Sequence, residues 1–406
     1  VTDTHPNHPV LKLRKSKTSF AATRHPWVLD TSIEPNFASL EMGDLVELVD
    51  HDGSWIGYGL CNPESRILCR LYSWSKEIPI DETLIADRLR SAMQLRHQLV
   101  ESSSTPPDRL AQRICFSEAD RLSGLIIDRF GKHFVIQITA AGMLRFLDTV
   151  CETLKATYAV ESISLLIDPS TAVTEGLEET NEVLFGTLPS EPITIDENSL
   201  AWSIDLRQGQ KTGWYLDQST NRAHAAHWLR NSKRILDVCC YTGGFAITAA
   251  ARNRNAQIVA IDSSHKALEI ANHNAALNSV DHIEFIQGDA FDYLRHPTEG
   301  CELFDAIVLD PPKLAGSRNK LPAALRAYHR LNFSAVKQLL PGGLLITCSC
   351  SGRLSREEFR QVLLGVSKRS GRDIQILHQR GAAVDHPSLA TCPETDYLKF
   401  FICRVF

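Results

Sequence analysis

Through the second half of the chain, short apolar runs alternate with longer stretches of helical period. The runs fall at 235–239, 257–262, 283–287, 304–309 and 343–348, with two more at 373–379 and 397–404. Their near-continuous apolar character is that of strands covered on both faces. Helix-period stretches fit between them at 244–252, 264–278, 321–340 and 355–369. This alternation predicts an α/β fold, a doubly wound parallel sheet closing on an antiparallel strand pair. A hairpin pattern from Ile193 to Asp205, turning at 196–198, opens this part of the chain.

The first half has a different rhythm. Residues 10–80 read as all-β, with alternation in Asp44-Leu-Val-Glu-Leu-Val49 and strands at Trp55–Leu60 and Ile67–Tyr72. Asp52-Gly53 and Asn62-Pro63 supply turns, and the glycines at 53, 57 and 59 point to a small curved barrel. The pattern resembles a PUA domain, a β-barrel attached to RNA-modifying enzymes. Asp81 to Val100 has helical period, and 102–107 reads as a linker. Strands near 114–116, 124–130 and 134–138, a helix over 143–158, and strands near 163–167 and 182–185 make a central α+β domain. It carries no reactive constellation and is expected to serve positioning and packing. The expected domains are 1–80 (PUA-like β-barrel), 81–190 (central α+β) and 191–406 (doubly wound).

Composition narrows the class. The chain has 406 residues, 43% apolar and 22% charged, which describes two or three globular domains. No run approaches the ~18 consecutive apolar residues of a membrane helix, and Val1–Pro9 has no signal-peptide core. The eleven cysteines form no C-x-x-C pair, which argues against a zinc cage or disulfide framework and for a reduced, cytoplasmic setting. Net charge of −5 excludes a protein basic all over. Lys12, Arg14, Lys15, Lys17 and Arg24 form a local basic cluster, open to reading as an RNA contact or as a solvated edge.

Candidate chemistry lies at the carboxyl ends of the parallel strands, where such sheets bind ligands. The stretch Ile235-Leu-Asp-Val-Cys-Cys-Tyr-Thr-Gly-Gly-Phe245 is a strand, a tight turn and a helix start. Asp237, Thr242 and Gly243 are its candidate cofactor contacts, and Tyr241, Phe245 and the upstream Tyr215 are candidate walls, with core packing an equal reading for Phe245. Asp262 ends the next strand, placed to take both hydroxyls of a ribose. Neither G-x-G-x-x-G nor a P-loop lysine is present, so a nucleoside ligand without phosphates is favoured, S-adenosylmethionine being the common one. Gly288-Asp289 follows the third strand, where its acid or its backbone can meet an adenine ring. Asp310-Pro-Pro-Lys313 follows the fourth, its prolines stiffening a loop that presents a carboxylate and an ammonium. Thr347-Cys-Ser-Cys-Ser-Gly352 follows the fifth. Upstream, Gln210, Lys211, Thr212, Asp217 and Arg222 complete the candidate cofactor set.

Taken together the chain resembles the bacterial family of PUA-domain-containing 5-methylcytosine methyltransferases of large-subunit (23S) ribosomal RNA. The likeness rests on His25-Pro-Trp-Val28, Ser117-Glu-Ala-Asp120 with Gly124–Arg129, Gln210-Lys-Thr-Gly213 with Tyr215-Leu-Asp-Gln218, Cys240–Phe245, Asp310-Pro-Pro-Lys313 and Ser349-Cys-Ser351. Departures fall at Val238-Cys239, Trp214 and Ser219-Thr220. The resemblance implies a class I (Rossmann-like) methyltransferase domain, S-adenosyl-L-methionine as cofactor, ribosomal RNA as partner and a homodimer. Cytosine C5 is a poor nucleophile, so the implied chemistry adds a thiolate to C6 before methyl transfer. The resemblance assigns the thiol to Cys350; strand alternation alone leaves Cys348 and Cys350 on the same side. Asp310, which also lines the cofactor, would hold the cytosine edge at N3 and N4, and Lys313 would favour the thiolate or contact phosphate. The target base must be unstacked to reach them. The competing readings are a guanine or adenine RNA methyltransferase on the same scaffold, which has no use for Cys350, and a non-catalytic RNA-binding assembly protein.

Overall fold

The computed structural model describes residues 8–17, 20–35, 37, 39–100, 105–207, 214–295, 302–314 and 320–406. They form two compact units. The first comprises residues 1–192, 205–214 and 385–395, and the second 193–204, 215–384 and 396–406.

The first unit holds two five-stranded sheets among its described residues. In the N-terminal sheet, Leu45–Val49, Trp55–Cys61, Cys69–Ser73 and Trp27–Val28 pair antiparallel in that order, and Val10–Lys12 adds to Leu45–Val49 in parallel. The expected alternation holds in Leu45–Val49, where Val46 and Leu48 are buried and their neighbours are not. Val46 and Leu48 join Leu11, Leu13, Val28, Ile33 and Leu71 in the barrel core. Tyr58, Leu60 and Tyr72 instead join the core of the central segment, with Leu89, Met93, Ile127 and Phe146. The two segments therefore share a packed boundary.

The central sheet runs Thr180–Gly186, Ser162–Ile167, His133–Ile138, Leu125–Phe130, Ala111–Phe116. The helix expected from 143 begins at Leu147, because Ala141–Phe146 winds as a tighter 3-10 turn. A short helix, Pro169–Glu175, was not read from the pattern, although Asp168 caps it and Gly176 ends it in the left-handed region. That helix delivers Glu175 to the boundary. The Glu175 carboxylate accepts from Arg70 (3.1 and 2.8 Å), Ser65 Oγ (2.7 Å) and the Ala141 N–H (3.1 Å). The late segment 385–395 also belongs to this unit: Asp385 accepts from the Arg113 N–H with its carboxylate (2.9 Å) and from Arg96 with its carbonyl (2.8 Å).

The second unit is the doubly wound sheet. We number its strands β1 (Arg234–Val238), β2 (Gln257–Asp262), β3 (Ile283–Gln287), β4 (Phe304–Leu309), β5 (Leu339–Ser349), β6 (Ile374–Arg380) and β7 (Lys399–Val405). Their order is 3-2-1-4-5-7-6, with β1 to β5 parallel and β7 antiparallel to both β5 and β6. Its helices are α1 (Ser219–Leu229), α2 (Gly244–Arg252), α3 (His265–Leu277), α4 (Ala290–Arg295), α5 (Leu321–Lys337) and α6 (Arg356–Ser370). The apolar runs predicted this core: Leu236, Val238, Ile307, Leu309 and Leu345 pack with Tyr328, Leu331 and Phe359 of the covering helices. The strand order reverses direction between β1 and β4, which opens a crevice at their carboxyl ends.

Candidate active site

The turn after β1 is built from unusual backbone. Cys239, Tyr241 and Gly243 have φ of 63°, 50° and 86°. For Cys239 and Tyr241 this left-handed geometry is strained and is kept only where surrounding bonds over-determine it. Those bonds are present: the Cys240 N–H donates to the Ile261 carbonyl (2.9 Å) and the Tyr241 N–H to Asp262 Oδ2 (2.9 Å). Gly243 is the cap of α2, and a side chain there would meet Ile247 Cδ1 at 2.7 Å. At Gly244 a side chain would meet Arg222 Cδ at 2.9 Å.

The acids at the ends of β1, β2 and β3 are held by few donors, all of them backbone N–H groups. Asp237 is buried and accepts from the Ala246 N–H with Oδ2 (2.9 Å), while Oδ1 has no hydrogen-bond partner among the described residues. Burial pushes its pKa up to about 8, with Asp310 and Asp262 adding to the rise. Asp262 accepts the Tyr241 and Ser264 N–H groups, one on each oxygen, which orients the carboxylate and leaves lone pairs on both. Asp289 is exposed and caps α4 through the Phe291 and Asp292 N–H groups (2.8 and 3.0 Å). Thr242 Oγ1 and Asp217 Oδ1 are further buried oxygens without hydrogen-bond partners among the described residues. Orphaned oxygens of this kind mark a place for a polar ligand.

Two candidate residues, Arg222 and Phe245, have other duties. Arg222 is buried in a bidentate pair with Glu197 (2.7 Å for each bond) and also donates to the Tyr215 carbonyl (2.9 Å). It braces the segment before α1 from behind. Phe245 stacks on Phe400 at 6.4 Å. Tyr215 and Tyr241 meet edge to face at 5.2 Å, and Tyr215 is 42% exposed, as a wall residue should be. Gln210, Lys211 and Thr212 lie outside the described residues.

On the far side of the crevice, Asp310 accepts from Gln218 Nε2 (3.1 Å). Gln218 is held in turn by Asn221 Nδ2 (2.8 Å). Burial, with the Asp217 charge next, pushes the Asp310 pKa up to about 7. Lys313 is exposed at the end of the Pro-Pro turn. The two candidate cysteines, equivalent by strand alternation, are separated by burial. Cys348 lies in β5, fully buried, with its thiol pushed well up by burial and then by Asp310. Cys350 lies one residue past the strand, half-buried, its Sγ 3.9 Å from the Pro311 carbonyl. The β4 and β5 loops thus meet at Cys350. Burial raises the Cys239 and Cys240 thiols as well, followed by neighbouring acids, so both are lining.

The pattern did not reveal Lys399. It is buried at the start of β7, and its Nζ donates to the Ser351 carbonyl in the Cys350 loop (2.6 Å) and to the Tyr397 carbonyl two residues before the lysine (2.7 Å). The available signal was a lone lysine in the apolar run Leu398-Lys-Phe-Phe-Ile402.

Comparison with known proteins bears directly on this arrangement. Residues 11–74 match a PUA-like domain and 229–379 a methyltransferase domain. Ribosomal RNA large subunit methyltransferase I of Salmonella typhimurium is 35% identical over 404 residues, 99% of both chains. The chain belongs to the ribosomal RNA large subunit methyltransferase I family. The same-named Salmonella arizonae protein matches equally, at 35% identity over 99% of both chains. Among solved structures, a Streptococcus mutans protein assigned as a SAM-dependent methyltransferase superposes with a TM-score of 0.82 at 17% identity, covering 98% of this chain and 100% of its own. A second, SMU.776, solved with SAH, superposes with the same score at 18% identity and the same coverage. The fold shared with this family is the class I S-adenosylmethionine-dependent methyltransferase fold, joined to a PUA-like β domain. No helix of the described residues is long and apolar enough to cross a membrane.

Proposed function

We propose that this chain uses S-adenosyl-L-methionine to methylate C5 of a cytosine in large-subunit ribosomal RNA, with Cys350 as nucleophile. The observation that carries the reading is the contrast at the end of β5, where Cys350 is accessible beside Asp310's loop and Cys348 is sealed in the strand. The ribosomal substrate follows the relatives' shared name, and the PUA-like segment offers an RNA-contacting surface for it.

The orphaned Asp237, Asp217 and Thr242 oxygens, the oriented Asp262 carboxylate and the Tyr215–Tyr241 wall fit a nucleoside cofactor carrying a charged amino-acid arm. When bound, S-adenosylmethionine supplies an electrophilic methyl group on its sulfonium. The chain's own part begins with the Cys350 thiolate adding to C6, which moves electron density onto C5. Asp310, with a pKa near 7, is part-protonated at neutral pH and can donate to N3 while the ring becomes electron-rich. Once C5 carries the methyl, its proton passes to a base, the C5–C6 double bond re-forms and Cys350 leaves as thiolate. Unstacking the cytosine is needed for the thiol to reach C6. Lys313, exposed at the mouth, is set to meet RNA phosphate. The working domain assignment is 1–80, 81–190 and 191–406, with a homodimer as the expected assembly.

The test is transfer of labelled methyl to unmodified ribosomal RNA, followed by hydrolysis to nucleosides. Label is expected in 5-methylcytidine, with Cys350→Ala reduced at least ~10³-fold, about 4 kcal/mol of barrier. Full activity in Cys350→Ala would remove the nucleophile, and label in methylguanosine or methyladenosine would replace the base.

A further inference from the structure

Lys399 presents an electrostatic problem that the fold alone does not solve. Lys399 is 1% exposed, and its ammonium donates to two neutral carbonyls, those of Ser351 and Tyr397. A buried ammonium is costly unless a negative charge accompanies it. Among the described residues, the charged and titratable groups acting on it are Cys350, Asp396, Arg356 and Glu358. Asp396 is itself paired with Arg356 at 3.2 Å, and Glu358 caps α6 through Ser355. Tyr328 and Tyr397 complete the surroundings with two phenols. Tyr328 is bonded to Ser349 Oγ (2.9 Å) and Ser351 Oγ (3.1 Å), and Tyr397 donates to Asp217 (2.5 Å). Of these, Cys350 is the group whose charge bears most strongly on the ammonium. Strand register puts Lys399 opposite Ser349, the residue before Cys350, and its ammonium grips the carbonyl of the residue after it.

We propose that Lys399 is the positioning residue of the nucleophile: its buried ammonium fixes the 349–351 loop through Ser351 and compensates the thiolate of Cys350. The inference rests on the reading of Cys350 as nucleophile. No proton is moved between the two groups; the thiol proton goes to solvent, and the lysine stays charged beside the sulfur. Burial depresses the Lys399 pKa to about 8, and the Cys350 charge opposes that fall. Lys313, exposed on its loop, is left to serve RNA.

The experiment follows pulsed alkylation of Cys350 by iodoacetamide across pH 6–10 in the full chain, reading the Cys350 peptide by mass spectrometry. In Lys399→Met, alkylation at pH 7 is expected to slow about tenfold, with the profile displaced to higher pH. Lys399→Arg, which retains the charge, is expected to restore most of the rate. A Lys399→Met profile matching wild type overturns the proposal. If that variant does not fold, the reciprocal measurement decides: in Cys350→Ser, the carbon-13 signal of the Lys399 ε-carbon should titrate at lower pH than in wild type. An unchanged lysine titration overturns the proposal equally. Methyl transfer by Cys350→Ala tests the nucleophile itself, so full activity there with a Lys399-dependent alkylation profile would overturn the function and leave the ion pair standing.

Discussion

Glu175 in the first unit and Asp237 in the second are both buried carboxylates, 3% and 1% exposed, yet their surroundings treat them oppositely. Burial works against the charge of Glu175, but Arg70, Ser65 and the Ala141 N–H outweigh it and hold its pKa below the ordinary range. Asp237 receives one N–H, and its pKa rises to about 8. The pattern extends beyond these two. Arg96–Asp120 and Arg113–Asp128 are bidentate pairs, each with one fully buried partner, in the first unit, whereas Asp310 in the second has Gln218 and a pKa near 7. A carboxylate whose bonds are complete is structural. One left short of donors inside a crevice is a site prepared for a ligand that brings them.

The comparison can be broken most forcefully at Glu175. Glu175→Ala strands Arg70 without its partner and should cost about 3–5 kcal/mol in urea unfolding of the full chain. A loss under 1 kcal/mol would mean the network contributes little. Asp310→Asn removes the proton donor while keeping the Gln218 contact. It should lower methyl transfer on the order of 10²-fold, about 2.7 kcal/mol of barrier, with no loss of stability. An Asp310→Asn chain that unfolds more easily would place Asp310 with Glu175 instead.

The two classes of acid should also give opposite pH slopes. Glu175 contributes stability that is present above the ordinary glutamate pKa of ~4.3 and is lost as pH falls through its lower folded value. Asp237 binds its proton more tightly folded than unfolded, so the ligand-free chain loses stability as pH rises from ~4 to about 8. Asp237→Asn should therefore stabilise the ligand-free protein at pH 8.5, on the order of 2 kcal/mol, and leave it unchanged at pH 4. Urea midpoints of both proteins at the two pH values check this, and equal shifts at both would refute the assignment. The smallest effect belongs to Cys348→Ala, a sealed thiol: roughly 1 kcal/mol of stability, with methyl transfer largely kept.

The strands of the second unit were legible because parallel strands covered on both faces must be apolar throughout, and Ile235–Val238 and Phe304–Leu309 are so apart from one acid each. The candidate acids were legible for a related reason: Asp237, Asp262 and Asp310 interrupt or end such runs, where an acid needs a purpose. Short elements were missed. Pro169–Glu175 is too brief to show a period, and so the helix that delivers Glu175 to Arg70 went unseen.

Partnership across long separations belonged to the tertiary structure. Composition, alternation and the motifs at the strand ends determined the doubly wound sheet, the small β-barrel and the stretch of chain where chemistry would lie. They could not distinguish Cys348 from Cys350, two thiols at the same alternation, because burial depends on where β5 stops and what packs over it. They could not join residues 385–395 to the first unit, since the Arg113–Asp385 bond spans 272 positions. Nor could they show Lys399 beside the 349–351 loop, because the antiparallel register of β5 and β7 is set by the packing of both strands into one core. Local pattern carries what neighbouring residues impose on one another; which distant charge completes a site is decided only when the chain has closed around it.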